Sequence, residues 1–336
     1  MRSTLKPVYE AFNLLSDQEK AQFAQLVLNQ MSSEMNLETL NKEAKGTTRK
    51  QCPHCADHSI FANGKQNGMQ RYGCNTCKKN FSDSTGTALA GIHKRELWIK
   101  YILHMCDGHS IKKCAKLTGI SIQTSFDWRH KILSRLRHEA PEKFSGICEV
   151  DDVSFNYSEK GTKTIDRKPR KRGNDGIKQG GSNDKVAVLL SYDRTNNKDF
   201  QVLKRGRVRK SDLQKALGKR IEKDTVMCSD SHRSFTGFAK ANKLLLKKIV
   251  VRKGQHIVDK VYHVQHVNQM AQALRKWMNK FNGVASKYLQ NYMNWFMMIE
   301  KLKSNTAPAR AFALATLAAP VRINHGMEIY LNSYIN

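Results

Sequence analysis

Two C-x-x-C pairs, Cys52/Cys55 and Cys74/Cys77, stand 18 residues apart. Each such turn aims two thiolates at one centre, and four soft sulfurs converging tetrahedrally are the donor set of a closed, structural zinc site. Further on, "CEVDDVSF" (148–155) sets Glu149, Asp151 and Asp152 in an otherwise apolar run, and a second apolar run, "DTVMCSDSH" (224–232), ends at Asp230. Carboxylates forced together inside a fold repel one another unless a cation lies between them, and hard oxygen donors call for Mg2+ or Mn2+. Two such ions suit in-line displacement at phosphorus, where the attacking and the leaving oxygen both need charge stabilisation. The competing reading is a solvated strand end. The fold decides between them, through whether it makes Asp151 and Asp230 neighbours.

The elements around the acids say that it does. Past Pro141, "SGICEVDDVSF" reads as a strand, "KVAVLLSYD" (185–193) as a second and "FQVLKRGRV" (200–208) as a third. A capped helix, "SDLQKALGKRI", comes next, and "DTVMCSDSH" is the fourth strand. The helix "RSFTGFAKAN", a fifth strand "LLLKKIVV" and a helical stretch from about His266 complete the order. Three strands, a helix, a fourth strand and then further β and α is the order of the ribonuclease-H-like fold, in which strands one and four lie side by side. Asp151 in the middle of strand one and Asp230 at the tip of strand four would then be adjacent. A third ligand should come from the last helix. Between Tyr262 and Trp277 that segment holds no acid, which leaves His263, His266 and Asn268 as polar candidates. The amide oxygen of Asn268, 38 residues after Asp230, is the hard donor among them.

Upstream, the span between the two cysteine pairs suits a pair of short strands, with Arg71, Tyr72, Lys78, Lys79 and Phe81 interleaved around the second knuckle. "HKRELWIKYILHM" puts Leu97, Trp98, Tyr101, Ile102 and Met105 on one helical face. "SIKKCAKLTGISIQTSFDWRHKILSRL" has the pattern of a helix-turn-helix. Its first helix ends near Leu117, Gly119 makes the turn, the second helix starts near Ser121, and small Ala115 lets the two pack closely. Gln123, Thr124, Ser125, Arg129 and His130 on the second helix are expected to be exposed and to reach DNA. At the N-terminus two short helices are expected within residues 1–31, one opened by a Ser16/Glu19 capping box, and the polar stretch 32–49 reads as a linker. A basic, Gly-rich insert at 160–183 reads as a loop.

The resulting fold class is multidomain α+β. An N-terminal helical segment (1–45) precedes a zinc ribbon (46–90) and a helix-turn-helix domain (91–140). A ribonuclease-H-like α/β catalytic domain (141–300) and a C-terminal helical tail (301–336) follow. Eight cysteines without a secretory leader fit metal binding and small core residues better than a disulfide framework. No apolar run of 18 or more occurs, so no membrane span is expected, and the protein is expected in the cytoplasm, associated with the nucleoid. Formal net charge is +29, and residues 1–45 hold five basic and six acidic residues, which leaves the remainder at 53 and 23. An excess of that size makes a polyanion the expected partner, with salt-sensitive binding.

Taken together, "CPHC…CNTC", "SFDWRHKIL", "EVDD", "CSDSHRSF", "HVN" and "FNGVASKYLQNYMNW" make the chain from Cys52 to Trp295 resemble one known family. It is the bacterial insertion-sequence transposases of the zinc-ribbon, ISXO-like branch of the DDE superfamily. The resemblance implies a catalytic triad of Asp151, Asp230 and Asn268 holding two Mg2+ or Mn2+ ions, beside the structural Zn2+ of Cys52, Cys55, Cys74 and Cys77. Where the family often has Asp-Glu, this chain has Asp151-Asp152, and Arg275 falls near a basic residue often found on the final helix, a DNA contact. The implied activity is binding of terminal inverted repeats, phosphodiester cleavage and strand transfer. The implied partners are double-stranded DNA, as element ends and as target, and further copies of the chain. A non-catalytic zinc-ribbon/helix-turn-helix regulator would share the N-terminal half but has no need of a central acidic pair. A structure-specific nuclease would share the acids but lack strand transfer.

Overall fold

A computed structural model describes residues 6–23, 36–45, 51–66, 69–136, 140–165, 183–250 and 253–317. They fall into two compact units, those up to 103 with 306–317, and those of 104–305.

In the first unit, helix Lys6–Asn13 precedes the Ser16 cap. There Ser16 N–H donates to the Glu19 carboxylate at 2.8 Å and Glu19 N–H donates back to Ser16 Oγ, as the capping box requires. The stretch read as a linker contains a helix instead, Leu37–Lys45, capped by Asn36 through Thr39 N–H. Leu40, fully buried, packs where helix Pro308–Leu317 crosses it, and Arg310 pairs with Glu43. A partner some 270 positions away is what makes so polar a segment helical. Three short strands, Ile60–Gln66, Met69–Cys74 and Asn80–Ser82, form an antiparallel sheet over which the cysteine turns close.

The second unit opens with α1 (Ile111–Thr118) and α2 (Ile122–Leu133). Ser110 and Ser121 cap them, accepting from Lys113 N–H and Thr124 N–H. Between them Gly119 takes φ +79°, the left-handed turn the sequence reading placed there. Ala115 and Thr118 are buried where the helices meet.

Next comes a five-stranded sheet. The strands are β1 (Ile147–Asn156), β2 (Lys185–Asp193), β3 (Lys198–Arg205), β4 (Val226–Ser229) and β5 (Leu245–Lys248), in spatial order 3-2-1-4-5. The first three are antiparallel and β4 and β5 run parallel to β1, so strands one and four are central neighbours. One face carries α3 (Lys210–Leu217) and α4 (Arg233–Ala241), whose Leu213, Leu217, Phe235 and Phe238 bury against Cys148, Val150, Leu189 and Met227. On β1 the alternate residues Glu149, Asp151 and Val153 face the other way, toward α5 (Gln265–Asn279). Finally α6 (Leu289–Leu302) covers the β3 edge, where Gln290 accepts from Val202 N–H and donates to Phe200 C=O. Among the described residues no helix is long and apolar enough to cross a membrane. The insert lies largely outside the described residues.

Candidate functional site

Register puts the acids together. β1 and β4 are last paired at Glu149 opposite Cys228, and two further residues along each strand bring Asp151 level with Asp230. Asp151 accepts the N–H of Asp152 at 2.8 Å within β1, and Asp230 accepts the N–H of His232 at 3.0 Å just past β4, so a neighbouring N–H orients each carboxylate. Burial pushes the Asp151 carboxyl up to about 7, against that N–H bond, and the charges of Asp152 and Asp230 add to it. Burial likewise raises Asp152, with Asp230 next, while His232 opposes. A group of acids whose ionised forms are disfavoured by desolvation and by one another is a site that a cation would relieve.

Asn268 stands on the exposed side of α5, and Arg275, seven residues and two turns later, lies on the same stripe. The Arg275 charge acts to lower Asp151, so this stripe runs beside the acids. His263 and His266 point elsewhere, to Glu149, which the sequence reading left without a role. Glu149 is fully buried, and its carboxylate accepts from His266 N–H at 2.9 Å and Val267 N–H at 3.3 Å, at the first turn of α5. His266 Nδ1 lies 2.6 Å from it, Arg194 Nη2 3.1 Å and His263 Nδ1 3.3 Å. The sequence carried one clue: an acid two residues before Asp151 must share its inward face. With two backbone N–H groups and the Arg194 guanidinium on one carboxylate, this cluster anchors the start of α5.

The four cysteines converge. Cys52 and Cys77 sulfurs are 3.5 Å apart and those of Cys55 and Cys74 3.6 Å, close to the ~3.8 Å edge of a tetrahedron with zinc–sulfur bonds of about 2.3 Å. The two knuckles repeat one geometry: Ala56 N–H donates to Cys52 C=O and Lys78 N–H to Cys74 C=O. Both Ala56 and Lys78 are left-handed. The Cys77 N–H, first among several donors, draws the Cys74 thiol down to about 7, while burial raises Cys52. Among the described residues, two other groups bring three ligand atoms within 4.8 Å: Glu149, His263 and His266, and also His104, Asp107 and His109. The aspartates are coupled but more widely set.

The helix-turn-helix reading needs correction at residue level. Ser125 and Arg129 are fully buried. Ser125 donates to Ile111 C=O. Arg129 donates to His109 C=O at 2.8 Å and lies 4.4 Å over the Trp295 ring. His130 packs against Tyr288, ring centroids 3.8 Å apart, and burial, helped by the charges of Arg129 and Lys287, lowers it to about 4. A neutral, half-buried imidazole makes a poor phosphate contact. The helix turns its Trp128–Arg129–Ile132 face inward, and a charged side chain on that face is easily mistaken for a surface one. Gln123 remains exposed and Thr124 half-exposed near the helix start, beside exposed Ile122, and α1 presents Lys112, Lys113 and Lys116. Arg129→Ala is therefore expected to cost about 3 kcal/mol of stability through the lost bond and ring contact. In denaturant titration the midpoint should fall, while folded protein discriminates DNA sequences as the wild type does.

Residues 143–297 match the ISXO2-like transposase domain. The matched segment spans the whole five-stranded sheet and α3 to α5 and is similar to the ISXO2-like insertion-sequence transposases. A relative is the uncharacterized protein in transposable element ISH50 of Halobacterium salinarum, 23% identical over 250 residues, covering 74% of this chain and 84% of that one. Solved structures similar to the chain include a simian T-cell lymphotropic virus intasome in complex with the PP2A regulatory subunit B56 gamma. It is 13% identical with a TM-score of 0.22, covering 64% of this chain and 66%, just under two thirds, of that one. Another is a pre-cleavage Mos1 transpososome, 11% identical with a TM-score of 0.21, covering 66% and 78%. Likeness of that degree fixes no residue correspondence.

Proposed function

We propose that the protein is a DDE-type transposase with an Asp-Asp-Asn site, acting on the terminal inverted repeats of its own insertion sequence. The ISXO2-like domain, with Asp151 inside β1 and Asp230 just past the end of neighbouring β4, is the observation that carries this reading. The sheet order 3-2-1-4-5 supports a ribonuclease-H-like catalytic domain. Asp151, Asp230 and the Asn268 amide would hold Mg2+ or Mn2+, and Asp152 adds negative charge beside them. When bound, two such ions activate the attacking oxygen and stabilise the leaving one. The chain's own part is to fix three oxygen donors on rigid elements, two on adjacent strands and one on a helix anchored by Glu149. Arg275 is suited to a DNA phosphate at the edge of that site.

Recognition of the ends falls to the zinc ribbon, with Zn2+ on Cys52, Cys55, Cys74 and Cys77, and to the helix-turn-helix. There Gln123 and Thr124 are left to reach base edges and the α1 lysines to meet phosphates. Pairing of two ends implies more than one copy of the chain, and the working place is the nucleoid. Zinc removal is expected to unfold residues 50–85 and weaken repeat binding while the fold beyond Pro141 survives. Circular dichroism and footprinting with and without chelator check this, and zinc-free protein that keeps full repeat binding would refute it.

The decisive experiment incubates the protein and Mg2+ with DNA carrying the repeats that flank its gene, plus a target plasmid. Cleavage at both ends followed by joined product is expected. Binding without cleavage would favour a regulator, and cleavage without joining a nuclease.

A further inference from the structure

The group His104, Asp107 and His109 sits in the turn that leads into α1 and shares no residue with the acids or the four cysteines. Helix Trp98–Cys106 ends there in a reversal: Gly108 N–H donates to Met105 C=O at 2.8 Å and His109 N–H to His104 C=O at 3.2 Å. Gly108 has φ +69°, and a Cβ on it would meet the Trp277 ring at 2.5 Å, so only glycine fits this tight a turn. The reversal folds His109 back over His104, with ring centroids 5.7 Å apart. His109 Nδ1 is buried with no hydrogen-bond partner, and Asp107 Oδ2 lies 3.7 Å from it. One ligand atom from each of the three residues falls within 4.8 Å of the others. Bonds of about 2.0–2.1 Å to a tetrahedral ion would set such atoms roughly 3.3 Å apart, a small closure that exposed Asp107 can supply.

We propose that His104, Asp107 and His109 form a second transition-metal site, taking zinc or a similar borderline divalent ion through two imidazoles and one carboxylate, with water completing the shell. The neighbouring charges set its selectivity. The Lys280 ammonium lies beside Gly108, and Arg129 donates to the carbonyl of His109, so an ion held by charge alone is repelled. Imidazole nitrogens hold zinc, cobalt or nickel by directional bonding, and they are poor donors for Mg2+. An ion here would brace the turn that Arg129 ties to α2, and so stiffen the entry to the helix-turn-helix. None of this depends on the catalytic reading.

The test uses full-length protein with zinc on the four cysteines and excess Mg2+ to occupy the aspartates. Co2+ is titrated in and followed by visible absorption. One further equivalent is expected to bind, giving d–d bands without a sulfur-to-cobalt charge-transfer band. That signal should be lost in His109→Ala and weakened roughly tenfold or more in Asp107→Asn. Asp107 is exposed, so its variant reports even where His109→Ala folds poorly. No cobalt signal in the wild type, or equal uptake by the wild type and Asp107→Asn, overturns the proposal.

Discussion

Asp151→Asn and Asp230→Asn should each reduce end cleavage by at least about a thousandfold, a loss of roughly 4 kcal/mol of transition-state stabilisation, while repeat binding persists. Each substitution leaves the shape of the site and removes one charge from the ions the proposed reaction needs. DNA is held by other surfaces, so gel-shift affinity should move little. Asn268→Ala should be similarly crippled, and Asn268→Asp should retain some cleavage by restoring an oxygen donor. His266→Ala should be milder, since its Nδ1 is engaged by Glu149. If His266→Ala were dead and Asn268→Ala active, the third donor would be His266.

Asp151→Asn also carries an opposite and independent signature. Between an unfolded value near 3.9 and about 7, the folded chain keeps a proton on Asp151 that the unfolded chain has released. Stability without metal therefore falls as pH rises through that window and stays lower above it. The asparagine variant escapes this cost. In chelator at pH 8 it should be more stable than the wild type, on the order of 2 kcal/mol after allowance for screening, and the difference should vanish below pH 4. Thermal melts across pH provide the check, and a variant less stable than wild type at pH 8 would mean that Asp151 is held ionised.

The strand order, the Gly119 turn and the convergence of four cysteines were legible because each is written in local pattern: alternation, a breaker, a spacing. The acids became neighbours by topology alone, once strands one and four were recognised. What stayed hidden depends on distant contacts. Leu37–Lys45 looks like a linker until Leu40 meets Pro308–Leu317. Arg129 looks like a DNA contact because nothing near it in sequence announces Trp295, 166 positions later. Ser125 is lost for the same reason, since a short polar side chain suits a surface and a helix crossing equally well. Glu149 was visible as an acid, but its partners Arg194, His263 and His266 come from three other segments.

Those partners make Glu149→Ala the most damaging single change expected outside the reacting acids. Its buried carboxylate takes the N–H groups of His266 and Val267 at the start of α5 and pairs with Arg194, whose guanidinium reaches in from the surface. Truncation would leave the helix-end donors of His266 and Val267 unpaired beside the emptied Glu149 pocket, a loss of about 2–5 kcal/mol. Glu149→Gln keeps an oxygen for the N–H groups and gives up the charge, so it should fold with a smaller loss. Asn268 begins one residue after the last of those N–H donors, so any shift of the helix end moves the proposed third oxygen. The glutamine variant, assayed well below its melting temperature, is therefore expected to need more Mg2+ for half-maximal cleavage, with repeat binding intact. A role confined to stability predicts the same Mg2+ midpoint as the wild type. An unchanged melting temperature in Glu149→Ala would refute the anchor itself.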